Sequence, residues 1–268
     1  MSYRDLDRPP LDAGALRSAL TGPRRLWTDV VVTSSTGSTN ADVAAAARAG
    51  APEGTVHTTD VQTSGRGRLD RAWSSPAGSG VIVSVLLRPD AVPAARWVWL
   101  PLLAGLAVDA TVHECGVESG LKWPNDVQVD GRKIAGILLE RVETDHGPAA
   151  VVGVGLNTTL RRDELPVETA TSLALEGATD TDRTIVLRSL LRNLEALYRA
   201  WAASEGDPAA GIRDSYLRRC VTIGQRVRVS LPRDEAVEGV ATGLDEHGRL
   251  LVDGRAISAG DITHLRPA

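Results

Sequence analysis

Lysine is almost missing from this chain: of its 30 basic residues, only Lys122 and Lys133 are not arginine. Arginine serves wherever a generic positive charge suffices. An ammonium is a compact point charge with rotatable donors, so a site that needs one does not accept a planar guanidinium. Both lysines are therefore read as site candidates. Cysteine is scarce too. Cys115 and Cys220 stand apart, with no Cys-x-x-Cys pair and no Cys/His cluster at metal spacing, which excludes a disulfide framework and a protein-held metal. Both are read as buried, unpaired thiols. No N-terminal apolar segment of the signal type appears, and the apolar stretch around Trp97 to Val108 is interrupted by Pro101 and Gly105 before it reaches a spanning length. The expectation is a cytoplasmic protein without a membrane partner. Excess positive charge is also lacking: the net charge is −4 and the pI about 5.8, which speaks against nucleic acid as a bulk partner.

Several catalytic signatures are absent as well. No Gly-x-x-x-x-Gly-Lys-Ser/Thr loop occurs, Gly153-Val154-Gly155 lacks the third glycine of a dinucleotide fingerprint, and neither Gly-x-Ser-x-Gly nor His-Glu-x-x-His is found. A serine nucleophile and a zinc hydrolase are thereby set aside.

What is present is the run Gly65-Arg66-Gly67-Arg68-Leu69-Asp70-Arg71-Ala72-Trp73. The glycines allow close backbone approach to a ligand, each arginine offers a planar fork for phosphate or carboxylate oxygens, and Trp73 offers a face for a flat ring. Three like charges also repel one another when no anion is bound, so the loop is expected to be mobile when empty and ordered over its ligand. The two lysines fall in Lys122-Trp123-Pro124-Asn125-Asp126 and Gly131-Arg132-Lys133-Ile134-Ala135-Gly136. Between them Asp130-Gly131 is a hairpin signal that sets Asp126 and Lys133 on neighbouring antiparallel strands.

The length of 268 residues allows one sizeable core and a small second domain. A short helix is expected over Leu11 to Leu20, then a strand over Trp27 to Thr33. Ser38 or Thr39 caps an alanine-rich helix ending at Gly50. Strands are expected at Val56 to Val61, Val81 to Arg88, Val127 to Val129, Ile134 to Val142 and Ala150 to Leu156, with a buried helix from Pro93 to Cys115. Leu187, Leu190, Leu191, Leu194, Leu197, Tyr198 and Trp201 share one helical face, read as core packing. After Cys220 the pattern becomes short alternating strands separated by glycines, a small β-barrel. Pattern alone gives an α+β fold with a small β domain.

Taken in order and at these spacings, GRGRLDRAW, KWPND and GRKIAGILLE resemble the catalytic and C-terminal domains of the biotin protein ligases, over about residues 25 to 268. The resemblance implies a mixed, largely antiparallel central sheet with helices on one side, followed by an SH3-like β-barrel. The implied domains are an N-terminal extension (1–24), a catalytic biotin/ATP-binding domain (25–219) and the barrel (220–268). It implies that ATP and biotin give biotinyl-5′-adenylate and pyrophosphate, and that biotin then passes to a lysine of a biotin carboxyl carrier domain of an acyl-CoA or pyruvate carboxylase. By similarity Ser38, Thr39, Asn40, Gln62, Gly136 and Leu138 belong to the biotin pocket. Arg66, Gly67 and Arg68 form the loop over biotin and the adenylate, and Lys133 lies near the biotin carboxylate and α-phosphate. Arg71, Trp73, Asn125 and Asn157 are carried over to the nucleotide. Asp126 is the candidate for orienting or deprotonating the acceptor amine, with a structural ion pair as its alternative, and Lys122 holds phosphate or orients Asp126. Mg²⁺ is expected to arrive with ATP, held largely by phosphate and water.

Asp70 stands where the family often has glycine. Only about 37 residues precede Ser38, too few for the DNA-binding domain that some members carry, so operator binding is not expected. The chain is read as a monomer or a ligand-promoted homodimer. The rival readings are a lipoate or octanoyl ligase on the related fold and a non-catalytic biotin sensor.

Overall fold

The computed structural model describes residues 8–68, 71–231, 235–258 and 260–265; Asp70 lies outside them. Seven strands form the central sheet. In chain order they are β1 (Asp29–Thr33), β2 (Thr55–Thr59), β3 (Gly80–Leu87), β4 (Gly120–Lys122), β5 (Asp126–Val129), β6 (Arg132–Val142) and β7 (Ala149–Asn157). Their order across the sheet is β1-β2-β3-β7-β6-β5-β4; β1 and β2 run parallel and every other neighbouring pair antiparallel.

Strand alternation divides this sheet into two faces with different fates. On one, Val81, Val83, Val85 and Leu87 of β3 and Val152, Val154 and Leu156 of β7 join the main core with α1 (Ala13–Leu20), α3 (Leu100–Glu114) and α4 (Arg183–Ala203). Helix α3 is apolar nearly all round because it is enclosed by the sheet and α4. With the turn before it, the stretch Ala94–Glu114 is long and apolar enough to cross a bilayer, yet 72% of its apolar 18-residue window is buried inside this protein. The expected helix from Pro93 begins instead as a 3-10 turn, Ala94–Trp99, and Pro101 falls in the first turn of α3, where its missing N–H removes no helical bond.

The other face is only partly covered. Helix α2 (Thr39–Arg48), capped by Ser38, lays Val43, Ala44 and Ala47 against Leu86, Val142, Ala149 and Val151. Small alanines let it sit close to the strands. The helices are thus not all on one side: the long ones share a face, and α2 covers one end of the other. What remains uncovered is the floor of a cavity.

Helix α5 (Ile212–Arg219) leads to β8 (Arg226–Ser230), β9 (Ala236–Leu244), β10 (Leu250–Val252), β11 (Arg255–Ile257) and β12 (Asp261–His264). These form a five-stranded antiparallel sheet, β11-β10-β9-β8-β12, of the SH3-like kind. Two indoles join it to the larger sheet: Trp99 Nε1 donates to Glu246 O at 3.0 Å and Trp123 Nε1 to Gly248 O at 2.9 Å. Valines 227 and 229 and Leu250 continue the main core into the barrel.

The segment before α1 is tied down by arginine. Arg8 pairs with Glu164 and donates from Nε to Thr159 Oγ1 at 3.1 Å, while Arg183 NH1 bonds Asp60 at 2.7 Å. Hydrogen bonding from Arg8 holds the Glu164 carboxyl below its ordinary value of 4.5. A lowered folded-state pKa adds stability that is complete above the unfolded value and disappears as pH falls through the folded one. Thermal melts of the wild type and Glu164→Gln should therefore differ most at neutral pH, and the difference should shrink below about pH 4.5. A difference that grows on acidification would contradict this assignment.

Candidate active site

A cavity of about 330 Å³ opens on the uncovered part of the sheet and is lined from four directions: the start of α2, the Gly/Arg loop, strands β3 to β7, and β12 of the barrel. Of the residues expected from sequence, Ser38, Thr39, Asn40, Gln62, Arg66, Gly67, Arg68, Arg71, Trp73, Lys122, Asn125, Asp126, Lys133, Gly136 and Leu138 all line it. Asn157 does not. It lies at the end of β7, buried, with Nδ2 donating to Thr171 O at 2.8 Å, a bond that holds the following connection.

One wall is a relay of polar side chains. Strand β2 ends at Thr59, earlier than expected, because the chain then turns to pair with the segment before α2, through Thr36 N to Val61 O and Ser64 N to Gly37 O. This sets Gln62 beside α2, where its Oε1 accepts from Thr39 N at 2.8 Å. Thr39 Oγ1 lies 2.7 Å from Ser84 Oγ, which donates to Asn40 Oδ1 at 2.6 Å, and Asn40 Nδ2 donates to Glu140 Oε2 at 2.6 Å. Each link fixes the rotamer of the next. The result is a preset row of donors and acceptors suited to a neutral, polar, planar group.

The floor is glycine. Gly136 on β6 and Gly155 on β7 are direct register partners, as are Leu138 and Gly153. A Cβ at Gly155 would come within 2.5 Å of the Trp73 indole, one at Gly136 within 3.2 Å of it, and one at Gly153 would collide with Asn40. Bare backbone is what lets the indole lie close against the sheet.

The opposite end is cationic, and one irregularity builds it. Asp130 and Gly131 both have positive φ, 47° and 79°, as the two-residue turn requires. In a regular strand Lys133 and Gly136, three apart, would point to opposite faces. Between Val127 and Gln128 the pairing register shifts, from Val127 opposite Ala135 to Gln128 opposite Lys133, leaving Ile134 as an extra residue. That bulge sends Ile134 into the core and brings Lys133 onto the face of Asp126 and Gly136. Lys133 Nζ is 2.6 Å from Asp126 Oδ1 and 5.8 Å from the centre of the Trp73 ring. Lys122, opposite Asp126 in the register, is half-buried, and burial pushes its pKa below the ordinary lysine value. Burial likewise lowers that of Arg68, whose NH1 donates to Asn125 Oδ1 at 3.0 Å.

The loop arginines do not lack counter-charges, contrary to the expectation of uncompensated repulsion. Arg66 lies 3.2 Å from Glu140, and Arg71 pairs with Asp261 of β12. Glu140, Ser84, Gly153, Gly155 and Asp261 were not anticipated. Ser84 had a signal, as the single hydroxyl in an otherwise apolar, fully buried strand. Asp261 had none, since it reaches the site only because the barrel docks there. Among the described residues no three His, Cys, Asp or Glu side chains are grouped to hold a metal ion.

Comparison with known proteins shows the family to which these elements belong. Residues 32–157 match the biotin/lipoate A/B protein ligase family and residues 222–265 the biotin protein ligase C-terminal domain. The chain is 44% identical to the biotin–[acetyl-CoA-carboxylase] ligase of Mycobacterium tuberculosis, over 99% of this chain and 100% of that one. It is 34% identical to the bifunctional ligase/repressor BirA of Bacillus subtilis, over 89% of this chain and 72% of that one. The biotin protein ligase of Aquifex aeolicus, solved in complex with biotin and ATP, superposes with a TM-score of 0.75 at 27% identity, covering 90% of this chain and 100% of that one.

The glycine floor generates a test independent of any activity. Gly155→Ala must displace the Trp73 ring or bend β7, and is expected to cost about 1–3 kcal/mol in urea unfolding, as overpacking does. Gly37→Ala, with open space around its Cβ, should be within about 0.5 kcal/mol of wild type. Equal stabilities for the two variants would show that the floor tolerates side chains.

Proposed function

Because the chain belongs to the biotin/lipoate A/B protein ligase family, we propose that it activates biotin with ATP to biotinyl-5′-adenylate and transfers the biotinyl group to a lysine of a carrier domain of a biotin-dependent carboxylase. The observation that carries the site assignment is the junction at Lys133. There the neutral polar wall meets the cationic end, so a ligand lying on the wall presents its carboxylate to the residues that attract phosphate.

In the first step an oxygen of the biotin carboxylate bonds to the α-phosphorus, the bond from that phosphorus to the bridging oxygen breaks, and pyrophosphate leaves. Two anions must be brought together, so the main demand on the protein is positioning and charge neutralisation. We assign that task to Lys133, Arg68 and Lys122, with Arg66 and Gly67 closing over the biotin end. Ser38, Thr39, Asn40 and Gln62 hold the ureido ring, with Gly136 and Leu138 as the pocket wall. Arg71, Trp73 and Asn125 receive the nucleotide; no nucleotide role is assigned to Asn157.

In the second step the acceptor amine attacks the acyl carbon, the carbon–oxygen bond to AMP breaks, and the nitrogen loses a proton. Asp126 is the carboxylate in place to orient that amine or take its proton. It is held by Lys133, so the two steps share one ion pair. We assign Mg²⁺ to the phosphates of ATP and water. The proposed units are the catalytic domain 25–219 and the barrel 220–268, in a cytoplasmic enzyme that is a monomer or a ligand-promoted homodimer.

The test is biotin- and ATP-dependent labelling of a purified carrier domain, with pyrophosphate release followed in parallel. Lys133→Ala should lose both by about 10²-fold or more. Asp126→Asn should retain pyrophosphate release while transfer falls; parallel loss of the two would reduce Asp126 to a partner of Lys133. Absence of wild-type labelling with biotin, or equal labelling with lipoate, would overturn the assignment.

A further inference from the structure

The barrel reaches into the cationic end of the cavity with a single acidic side chain. Asp261 opens β12, and residues 260–263 line the same cavity as the Gly/Arg loop. Its carboxylate pairs with Arg71 and also faces Arg68 and Lys122, raising the affinity of both for their protons against the effect of burial. Four cations, Arg68, Arg71, Lys122 and Lys133, thus share two acids. Asp126 is occupied by Lys133 at 2.6 Å, which leaves Asp261 as the counter-charge of the loop's outer end.

We propose that Asp261 is the built-in counter-ion of the empty site, a carboxylate standing where phosphate oxygens of the nucleotide bind, which nucleotide must displace from Arg71. The pair is exposed, 66% of the Arg71 side chain and 38% of that of Asp261, so separating it costs little. A polyphosphate brings several charges and a bidentate fit to the guanidinium, which a single exposed carboxylate does not match. Once phosphate is bound, Asp261 is a like charge beside it and turns toward water. The barrel in this way sets nucleotide affinity and holds the loop until nucleotide takes over.

This inference rests on the nucleotide reading above, and its test separates the two. ATP binding is measured by calorimetry at low and at 0.3 M salt for wild type and Asp261→Asn, with biotin binding measured alongside. The variant should bind ATP about three- to tenfold more tightly at low salt, with the gain shrinking at high salt and biotin affinity unmoved. In the ligand-free protein, trypsin should cut at Arg71 faster in the variant than in wild type. A purely structural role for Asp261 would weaken ATP binding instead. Wild-type protein that binds ATP, with a variant that binds it equally or less well, overturns the counter-ion and leaves the function standing. Wild-type protein that binds biotin but no ATP in either buffer overturns both. Asp261→Ser serves as a second variant with the same expectation should Asp261→Asn fail to fold.

Discussion

One extra residue in β6 decides where the cationic end of the cavity lies. Without the bulge at Ile134, Lys133 would point into the apolar core and Ile134 onto the site face, an exchange that neither environment tolerates. With it, Lys133 meets Asp126 across the hairpin, and Gly136 and Gly155 stay paired as a flat floor under Trp73. The turn, the bulge and the glycine pair form one constraint. The turn sets the register, the bulge corrects the face, and the glycines clear the space the correction creates.

The rest of the site depends on a sheet whose two faces are treated unequally. The long helices and the barrel core enclose one side in continuous hydrophobic packing. Against that rigid backing the second face can stay open, and the Gln62–Thr39–Ser84–Asn40–Glu140 relay crosses it. Because Glu140 also pairs with Arg66, the loop is registered against the same relay that lines the polar wall. Loop position and pocket shape are therefore coupled through one carboxylate.

Local signals and distant ones fared differently in the sequence. Asp130-Gly131 announced the turn, Ser38 its helix cap, and the Gly/Arg run its loop, because each of these acts through its own backbone. The three-residue strand β4 and helix α5 left no periodic trace. The bulge was invisible because an apolar residue between Lys133 and Ala135 fits a regular strand equally well. Asp261 was beyond reach for another reason: its place at the cavity comes from docking through Trp99 and Trp123, and nothing near it in the chain shows which surface it will face. Asn157, carried over by resemblance, lies outside the cavity lining with its Nδ2 engaged by backbone.

The scarcity of lysine acquires a physical meaning from where the two lysines lie. An enzyme that generates an acyl-adenylate must keep its own amines from reacting with it, and both lysine amines of this chain line the cavity where the adenylate would form. Lys133 is restrained by its ion pair with Asp126. Lys122 is the greater risk, since burial lowers its pKa and so enlarges the neutral, nucleophilic fraction. Phosphate reverses that bias: an anion beside Lys122 raises its pKa and returns it to the unreactive ammonium. The charge that would bring the substrates together thus also silences the Lys122 amine, while the carrier lysine, arriving from outside, is under no such restraint.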